Sequence, residues 1–371
     1  MKVIIAAAQT GGHINPGIAI ANKIKEENKN AKIMFIGTTR GLENDLVPRA
    51  GFELKTIEAY GINRKISLTN FKNMLKTLKG LKEAKKIVKE FNPDIVIGTG
   101  GFICGPVLMA AKKYKIPTIV HESNSFPGVA TKLLSKKVDT VLVAFDDAKK
   151  RLPKAKRIVT TGTPTKIKKI ELNKEQKDKL INELKLNKDM PIVLVFGGSQ
   201  GAKSINSSLI DIIKNKTNKD YQIVWASGPK QYDVIKESLN ELGININNIK
   251  NVKIIPYIYN MEEMMNLADI IISRSGAMTI TEIAITGKPA IFIPFPFATE
   301  NHQEYNANVL VNRGAAKLIL DKDLNEKILS DTLHEMLKDK EGLKKMGENA
   351  IKVAIPNVED KIYEEIKRLV K

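Results

Sequence analysis

Residues 191–214 constrain this chain more than any other stretch. Pro191-Ile192-Val193-Leu194-Val195-Phe196 is a short apolar run of the kind that forms a buried parallel strand. Gly197-Gly198-Ser199-Gln200-Gly201-Ala202 follows at once, and from Lys203 to Lys214 the apolar residues Ile205, Leu209, Ile212 and Ile213 recur at helical spacing. A strand, a glycine turn and a helix start put free backbone N–H groups at the positive end of a helix dipole, which is a seat for phosphate or diphosphate. Two further turns of this kind, Thr10–Gly17 and Gly98–Pro106, lie in the first third of the chain. Three such seats together point to an enzyme that handles nucleotide-sugars.

Around these turns, strands and helices alternate. Apolar runs predict strands at Val3–Ala8, Lys32–Ile36, Glu53–Glu58, Ile95–Gly98, Thr118–Val120, Thr140–Val143 and Ile158–Thr161, with helices beginning near Pro16, Leu42, Leu68, Gly105 and Pro127. After a lysine-rich stretch to Met190, read as linker plus helix, strands recur at Ile192–Phe196, Tyr221–Trp225, Lys253–Ile255, Ile270–Ser273, Ala290–Ile293 and Lys317–Leu320. Such alternation implies parallel sheets covered on both faces. At 371 residues the chain suits two α/β domains. Gly162-Thr163-Pro164 breaks the regularity, so the division expected is 1–164, 165–345 and C-terminal helices, 346–371, returning to the first domain. Two doubly wound, Rossmann-like domains of this kind are expected to face each other across a cleft, with ligands at the carboxyl ends of the strands.

Charge is unevenly distributed. The net charge is +19, and residues 1–160 hold 29 of the 60 basic residues but 13 of the 41 acidic ones. The first half is therefore expected to face something anionic. No arginine-rich helix, aromatic stacking stripe or zinc spacing accompanies this charge, which argues against nucleic acid. From Arg64 to Glu90, nine cations and two acids are interleaved with Phe71, Met74, Leu75, Leu78, Leu81, Ile87 and Val88. That is the pattern of an anchor for an anionic membrane surface, and equally of a solvated lysine face over a core stripe. No run approaches the ~18 apolar residues needed to span a bilayer. Met1–Ala8 reads as a first buried strand rather than a leader, and the single Cys104 suits a reducing cytoplasm.

His13 projects from the first turn, where an imidazole suits a general base; Pro16 is placed to open the helix. Gly98, Gly100 and Gly101 form no dinucleotide fingerprint, against a nicotinamide enzyme. Arg274-Ser275-Gly276-Ala277-Met278-Thr279-Ile280-Thr281-Glu282 follows a strand, so small hydroxyl residues can meet phosphate at a helix start and Glu282 can accept ribose hydroxyls. Gln303 and Asn306 offer the neutral donors and acceptors that read sugar hydroxyls. A rival pattern is present. Gly197-x-Ser199-x-Gly201 matches a nucleophile elbow, with Asp269 and His302 following in a serine hydrolase's order. Asp321-Lys322-Asp323 has acidic spacing but serves equally as a helix cap.

Several motifs occur together: Thr10-Gly11-Gly12-His13, Gly100-Gly101-Phe102-Ile103-Cys104-Gly105-Pro106, His121-Glu122-Ser123-Asn124, Gly197-Gly198-Ser199-Gln200-Gly201-Ala202, Arg274-Ser275-Gly276-Ala277 and His302-Gln303. In these and in their order the chain resembles the MurG family of peptidoglycan glycosyltransferases over nearly its whole length. The resemblance implies a GT-B fold and inverting transfer of N-acetylglucosamine from UDP-GlcNAc to an undecaprenyl-diphosphate-linked muramyl-peptide. It implies no cofactor and no metal, and a peripheral position on the cytoplasmic face of the cell membrane. It assigns His13 as catalytic base. Ser199 would contact the nucleotide phosphates, Glu282 the ribose and the Ile258 backbone the uracil. Ala277, Met278 and Thr279 would line the diphosphate, with Ile280 and Thr281 completing that segment. Gln303 would read the sugar, and Thr10, Gly11, Gly12 and Asn124 would close the cleft from the other side. Two departures stand out. The family's asparagine-proline-x-arginine is Thr163-Pro164-Thr165-Lys166 here, so Lys166 would meet the diphosphate as a point charge. Gln9 stands where the family has glycine. A transferase acting on another lipid such as a diacylglycerol, and a binding module without catalysis, are the remaining alternatives.

Overall fold

The computed structural model describes residues 1–60, 68–198 and 201–370. The chain forms two compact units, one of Met1–Thr165 with Ile355–Lys371, the other of Lys166–Ala354.

In the first unit the elements run β1 (Lys2–Ala6), α1 (Gly11–Glu27), β2 (Lys32–Gly37), α2 (Glu43–Arg49), β3 (Glu53–Thr56), α3 (Leu68–Phe91), β4 (Ile95–Gly98), α4 (Cys104–Lys113), β5 (Thr118–Glu122), α5 (Val129–Leu134), β6 (Thr140–Val143) and β7 (Ile158–Thr160). The sheet has strand order β3-β2-β1-β4-β5-β6-β7 and every pairing is parallel. Chain direction across the sheet reverses between β1 and β4, so the loops after these two strands diverge and leave room for a ligand. Alternate residues of each strand feed opposite cores, as a period of two demands. Val3, Ile5, Phe35 and Ile97 pack with Ile14, Ile20 and Ile24 of α1, while Ile4, Ala6, Ile36 and Val96 pack with Ala84, Val107, Leu108 and Ala111. Each isoleucine buried this way contributes roughly 1.5–3 kcal/mol.

In the second unit come α6 (Lys174–Leu184), β8 (Ile192–Phe196), α7 (Lys203–Asn215), β9 (Gln222–Ala226), α8 (Pro229–Glu241), β10 (Val252–Ile255), α9 (Met261–Leu267), β11 (Ile270–Ser273), α10 (Ala277–Thr286), β12 (Ala290–Phe292), α11 (His302–Val311), β13 (Ala316–Leu318), α12 (Glu326–Lys338) and α13 (Lys340–Val353). Its sheet, β10-β9-β8-β11-β12-β13, is also wholly parallel and reverses direction between β8 and β11. All thirteen strands expected from the apolar runs are present among the described residues.

Helix α14 (Val358–Leu369) closes the first unit, burying Val358, Ile362 and Ile366 beside α1. Arg157 grips Glu365 with two parallel bonds, Nε to Oε2 at 2.9 Å and Nη2 to Oε1 at 2.6 Å. Arg368 adds a third to Glu365 and reaches Thr140 Oγ1 at 2.7 Å. These hydrogen bonds, Arg157's first, hold the Glu365 carboxyl below its ordinary value. Helix α13 stays with the second unit, where Gly347 and Ile351 close on Gly287.

One boundary differs from the sequence reading in a way that matters for function. Helix α1 starts at Gly11, not at Pro16, with Thr10 as its extended N-cap. His13 therefore sits in the first helical turn. Two glycines of poor helix propensity concealed that start, and Pro16, lacking an N–H, leaves the Gly12 carbonyl without its helical donor.

Candidate active site

Between β1 and α1 the chain makes a turn whose shape is unusual for its sequence. Gln9 has φ +77°, in the left-handed region that favours glycine. Glu43, fully buried, holds it there: Oε2 accepts from Gln9 N at 2.8 Å, and Oε1 accepts from Thr38 N at 2.8 Å and Thr38 Oγ1 at 2.7 Å. The glutamine is thus held in a conformation that glycine adopts without strain.

The half-buried His13 is oriented by the same turn. Its Nδ1 lies 3.2 Å from the Ala8 carbonyl. A carbonyl only accepts, so Nδ1 carries the proton and Nε2 of the neutral ring holds the lone pair, the state a general base needs. Thr99 Oγ1 donates to the His13 carbonyl at 2.7 Å. The second glycine turn supplies a wall for the ring. Gly100 and Gly101 have φ +117° and +81°, and a Cβ on Gly100 would lie 2.5 Å from His13 Cδ2. These glycines are there to let an imidazole lie against bare backbone. Thr10, Gly11 and Gly12 open α1, and its leading amides have no side-chain cap and no acidic neighbour in the first turn.

Asn124 stands beyond the carboxyl end of β5 and is fixed by Glu122, whose Oε1 accepts from both Asn124 N and Asn124 Nδ2 at 3.0 Å and whose Oε2 accepts from Gly128 N at 3.0 Å. His121 is structural: it is buried, its Nε2 donates to the Gly162 carbonyl at 2.9 Å, and burial holds its imidazole below the ordinary value. Cys104 is buried too, its thiol pushed up to about 12 by burial, and it packs against Gly98.

In the second unit the diphosphate seat expected at α10 has the form that anion binding requires. Gly276 is an extended N-cap with no side-chain cap, and the first turn carries no acid. Ala277, Met278 and Thr279 are partly exposed there. Ile280 and Thr281 turn inward: Ile280 is buried with its N–H bonded to Gly276 O, and Thr281 Oγ1 donates to Ala277 O at 3.1 Å. Glu282 is half-buried one turn deeper. Ser275 Oγ donates to the Gln303 carbonyl at 2.8 Å, and Gln303 Oε1 accepts from Phe295 N at 2.9 Å. The Gln303 amide NH2 makes no hydrogen bond among the described residues. Asn306, expected to read hydroxyls beside Gln303, is fully buried and donates to the Ser275 carbonyl at 3.3 Å, so it braces the loop instead. Ser199 lies outside the described residues. Helix α7 behind it also begins without a side-chain cap, and Gly201, with φ +77°, passes so close to Ser227 that a Cβ would lie 2.2 Å from its carbonyl oxygen.

Arg274 is occupied internally. Its guanidinium donates to the carbonyls of Ile293 and Pro294, each at 3.0 Å, to Ser204 Oγ at 3.0 Å, and to Asp321 Oδ2. Asp321 also accepts from Ser204 at 2.6 Å. Of the Asp321-Lys322-Asp323 acids, Asp321 thus serves a strut joining the ends of β11, β12 and β13 to α7. Lys166 is exposed at the start of the unit, and the chain just beyond it is pinned by Glu262 and Asn266, which accept from Lys168 N and Ile170 N. Thr163 fills the position of the family's asparagine, and its buried hydroxyl has no partner among the described residues.

Ile258 follows β10 with its side chain buried. The flanking Tyr257 and Tyr259 are exposed, at 45% and 93%, with ring centroids 5.0 Å apart. They escaped the sequence reading, although aromatic residues are only 5% of the chain and two of them bracket a strand-end loop.

The hydrolase pattern fails on topology. Asp269 precedes β11, where its carboxylate accepts from Ile192 N at 2.7 Å. Since β8 and β11 run parallel, with Val193 beside Ile270 and Phe196 beside Ser273, Asp269 sits at the opposite end of the sheet from Gly197. Five residues of strand separate the two, roughly 16 Å. No triad can form there.

Two doubly wound units with uncapped helix starts at their strand ends suit a class of proteins that bind phosphorylated ligands there, and family models narrow the class to glycosyltransferases. Residues 3–143 match the glycosyltransferase family 28 N-terminal domain and 192–362 the C-terminal domain. Over its full length the chain is 44% identical to a protein of Acetivibrio thermocellus, 99% of which is covered, and 43% identical to one of Bacillus cereus, covered completely. Both are named UDP-N-acetylglucosamine–N-acetylmuramyl-(pentapeptide) pyrophosphoryl-undecaprenol N-acetylglucosamine transferase. The crystal structure of Acinetobacter baumannii MurG superposes with a TM-score of 0.79 at 27% identity over 99% of each chain. The chain belongs to the MurG family of GT-B glycosyltransferases.

Proposed function

We propose that this protein transfers N-acetylglucosamine from UDP-GlcNAc to an undecaprenyl-diphosphate-linked muramyl-peptide, converting lipid I to lipid II in peptidoglycan synthesis. Full-length relatives bearing that transferase's name carry the reading, and the two helix starts supply its chemistry. Nε2 of His13 takes the proton as the acceptor hydroxyl attacks the anomeric carbon. The bond from that carbon to the diphosphate breaks on the opposite face, inverting the centre, and UDP departs with the electron pair. Charge gathering on the diphosphate is met by the fixed amides of Ala277, Met278 and Thr279 and by the α7 start beside Ser199. Glu282 takes the ribose, the Ile258 backbone the uracil, and Gln303 the sugar through its NH2 group. Lys166 adds a point charge to the diphosphate, while Thr10, Gly11, Gly12 and Asn124 bind substrate from the first unit.

We further propose peripheral docking of the first unit on anionic lipid at the cytoplasmic face of the membrane. Among the described residues no helix is long and apolar enough to cross a membrane. On α3, Leu78 is 56% exposed between the exposed lysines Lys76, Lys79 and Lys82, a pattern that suits an interface. Arg64 and Lys65, at the start of the basic stretch, lie outside the described residues.

The test is transfer from labelled UDP-GlcNAc to a short-chain prenyl-diphosphate muramyl-peptide, with a diacylglycerol in parallel. The expected product is the β-linked disaccharide on the muramyl acceptor alone, formed equally with chelator present. Transfer to the diacylglycerol, or none to the muramyl acceptor, refutes the assignment.

A further inference from the structure

A cavity of about 360 Å³ opens in the first unit, lined by Gln9, Thr38, Arg40, Gly41, Tyr60 and Phe102. Its chemistry is cationic and stiff. The Arg40 guanidinium lies 3.9 Å from the centroid of the Tyr60 ring and donates Nη2 to the Ala59 carbonyl at 3.0 Å. Lys76 approaches the same ring at 4.6 Å and reaches Tyr60 Oη at 3.3 Å. A guanidinium has five N–H donors in one plane; Arg40 is exposed, and beyond the Ala59 bond it makes no hydrogen bond among the described residues. The carboxylate of Glu43 packs behind Gly41 with its oxygens accepting from Gln9 and Thr38, and among the described residues it forms no ion pair with Arg40. Gln9 lends its side chain to the lining while its backbone is kept in a region glycine would occupy without strain. Strain retained at a cavity wall marks a side chain with work to do there.

The cavity lies at the carboxyl ends of β2 and β3, and β2 pairs directly with β1, whose following turn orients His13. With neighbouring strands about 4.8 Å apart, the cavity lies one strand over from the turn that carries His13. We propose that this cavity binds an oxyanion of the acceptor, paired with Arg40 and held in plane by Tyr60. The inference rests on the transferase reading above. Two groups of that acceptor share the chemistry, the diphosphate and the peptide carboxylates.

Arg40→Gln keeps a donor for Ala59 and removes the cation; Arg40→Lys keeps the charge and loses the fork. The acceptor KM is expected to rise roughly tenfold or more in Arg40→Gln and less in Arg40→Lys, with UDP affinity, kcat and melting temperature unchanged. If the penalty vanishes for an acceptor whose peptide carboxylates are amidated, the peptide is the occupant. If it persists for an acceptor stripped of its peptide, the diphosphate is. An unchanged acceptor KM in Arg40→Gln with every acceptor overturns the proposal. Should wild-type protein transfer no sugar, the functional reading fails by itself. Calorimetry with inorganic pyrophosphate on an Ala277→Asp background, in which the α10 seat repels it, then decides the cavity: binding lost on adding Arg40→Gln supports it, and binding that is absent or unchanged by Arg40→Gln refutes it.

Discussion

At the start of α1 a side chain is held against backbone; at the start of α10 backbone is left bare. His13 has its tautomer set by Ala8, its carbonyl tied by Thr99 and its ring lodged against Gly100 and Gly101. Around Gly276 the side chains that could approach a ligand are spent elsewhere, Arg274 on two carbonyls and Asp321, Ser275 on Gln303, Asn306 on Ser275. Both helices leave the carboxyl end of a strand at the reversal point of a parallel sheet. On the mechanism proposed above, their difference follows from what each half of the reaction requires. Removing a proton needs a group that changes protonation state. Receiving charge on a leaving diphosphate needs dipoles that do not move, and side chains are useful there chiefly for keeping the backbone still.

Substituting His13 puts this contrast to its hardest test. His13→Ala should lower kcat by roughly 10²–10⁴-fold and leave UDP binding by calorimetry unchanged; a parallel loss of UDP affinity would show that the two helix starts are not separate devices. Ala277→Asp tests the other side. A carboxylate in the first turn of α10 should weaken UDP binding roughly tenfold by repelling the diphosphate, yet raise stability by about 0.5 kcal/mol because it suits the helix dipole. Undiminished UDP binding would mean that the diphosphate sits elsewhere. The smallest effect belongs to Gln9→Gly. Releasing the left-handed strain, less the entropy of a new glycine, should stabilise the first unit by about 0.5 kcal/mol, a rise of one or two degrees in thermal melting. A fall in melting temperature would show that the glutamine side chain, and not Glu43 alone, holds the turn.

Much of the candidate site was legible in order but not in orientation. The motif residues around His13, Gly276 and Gln303 announced themselves because glycine turns after apolar runs are rare and physically specific. Asn306 and Arg274 were legible as polar residues near a turn, yet whether each faces ligand or protein depends on neighbours 30–50 residues away, such as Ser275 and Asp321. Tyr257 and Tyr259 carried too little local pattern to be noticed. The cavity at Arg40 had no sequence signal, since Gln9, Arg40, Tyr60 and Phe102 meet only once β1, β2 and β3 are side by side and the turn after β4 folds down.

By itself the amino-acid order determined two parallel α/β sheets and the glycine turns at their strand ends, because strand and helix periodicity and glycine turns are local properties of a few residues. Only the tertiary structure decided that Gly100 and Gly101 would wall in His13, that Glu43 would bend Gln9, and that Asp269 would fall at the far end of the sheet from Gly197. Strand order and register set those relations, and they are long-range: residues far apart in the chain become neighbours through crossover connections that no short window contains.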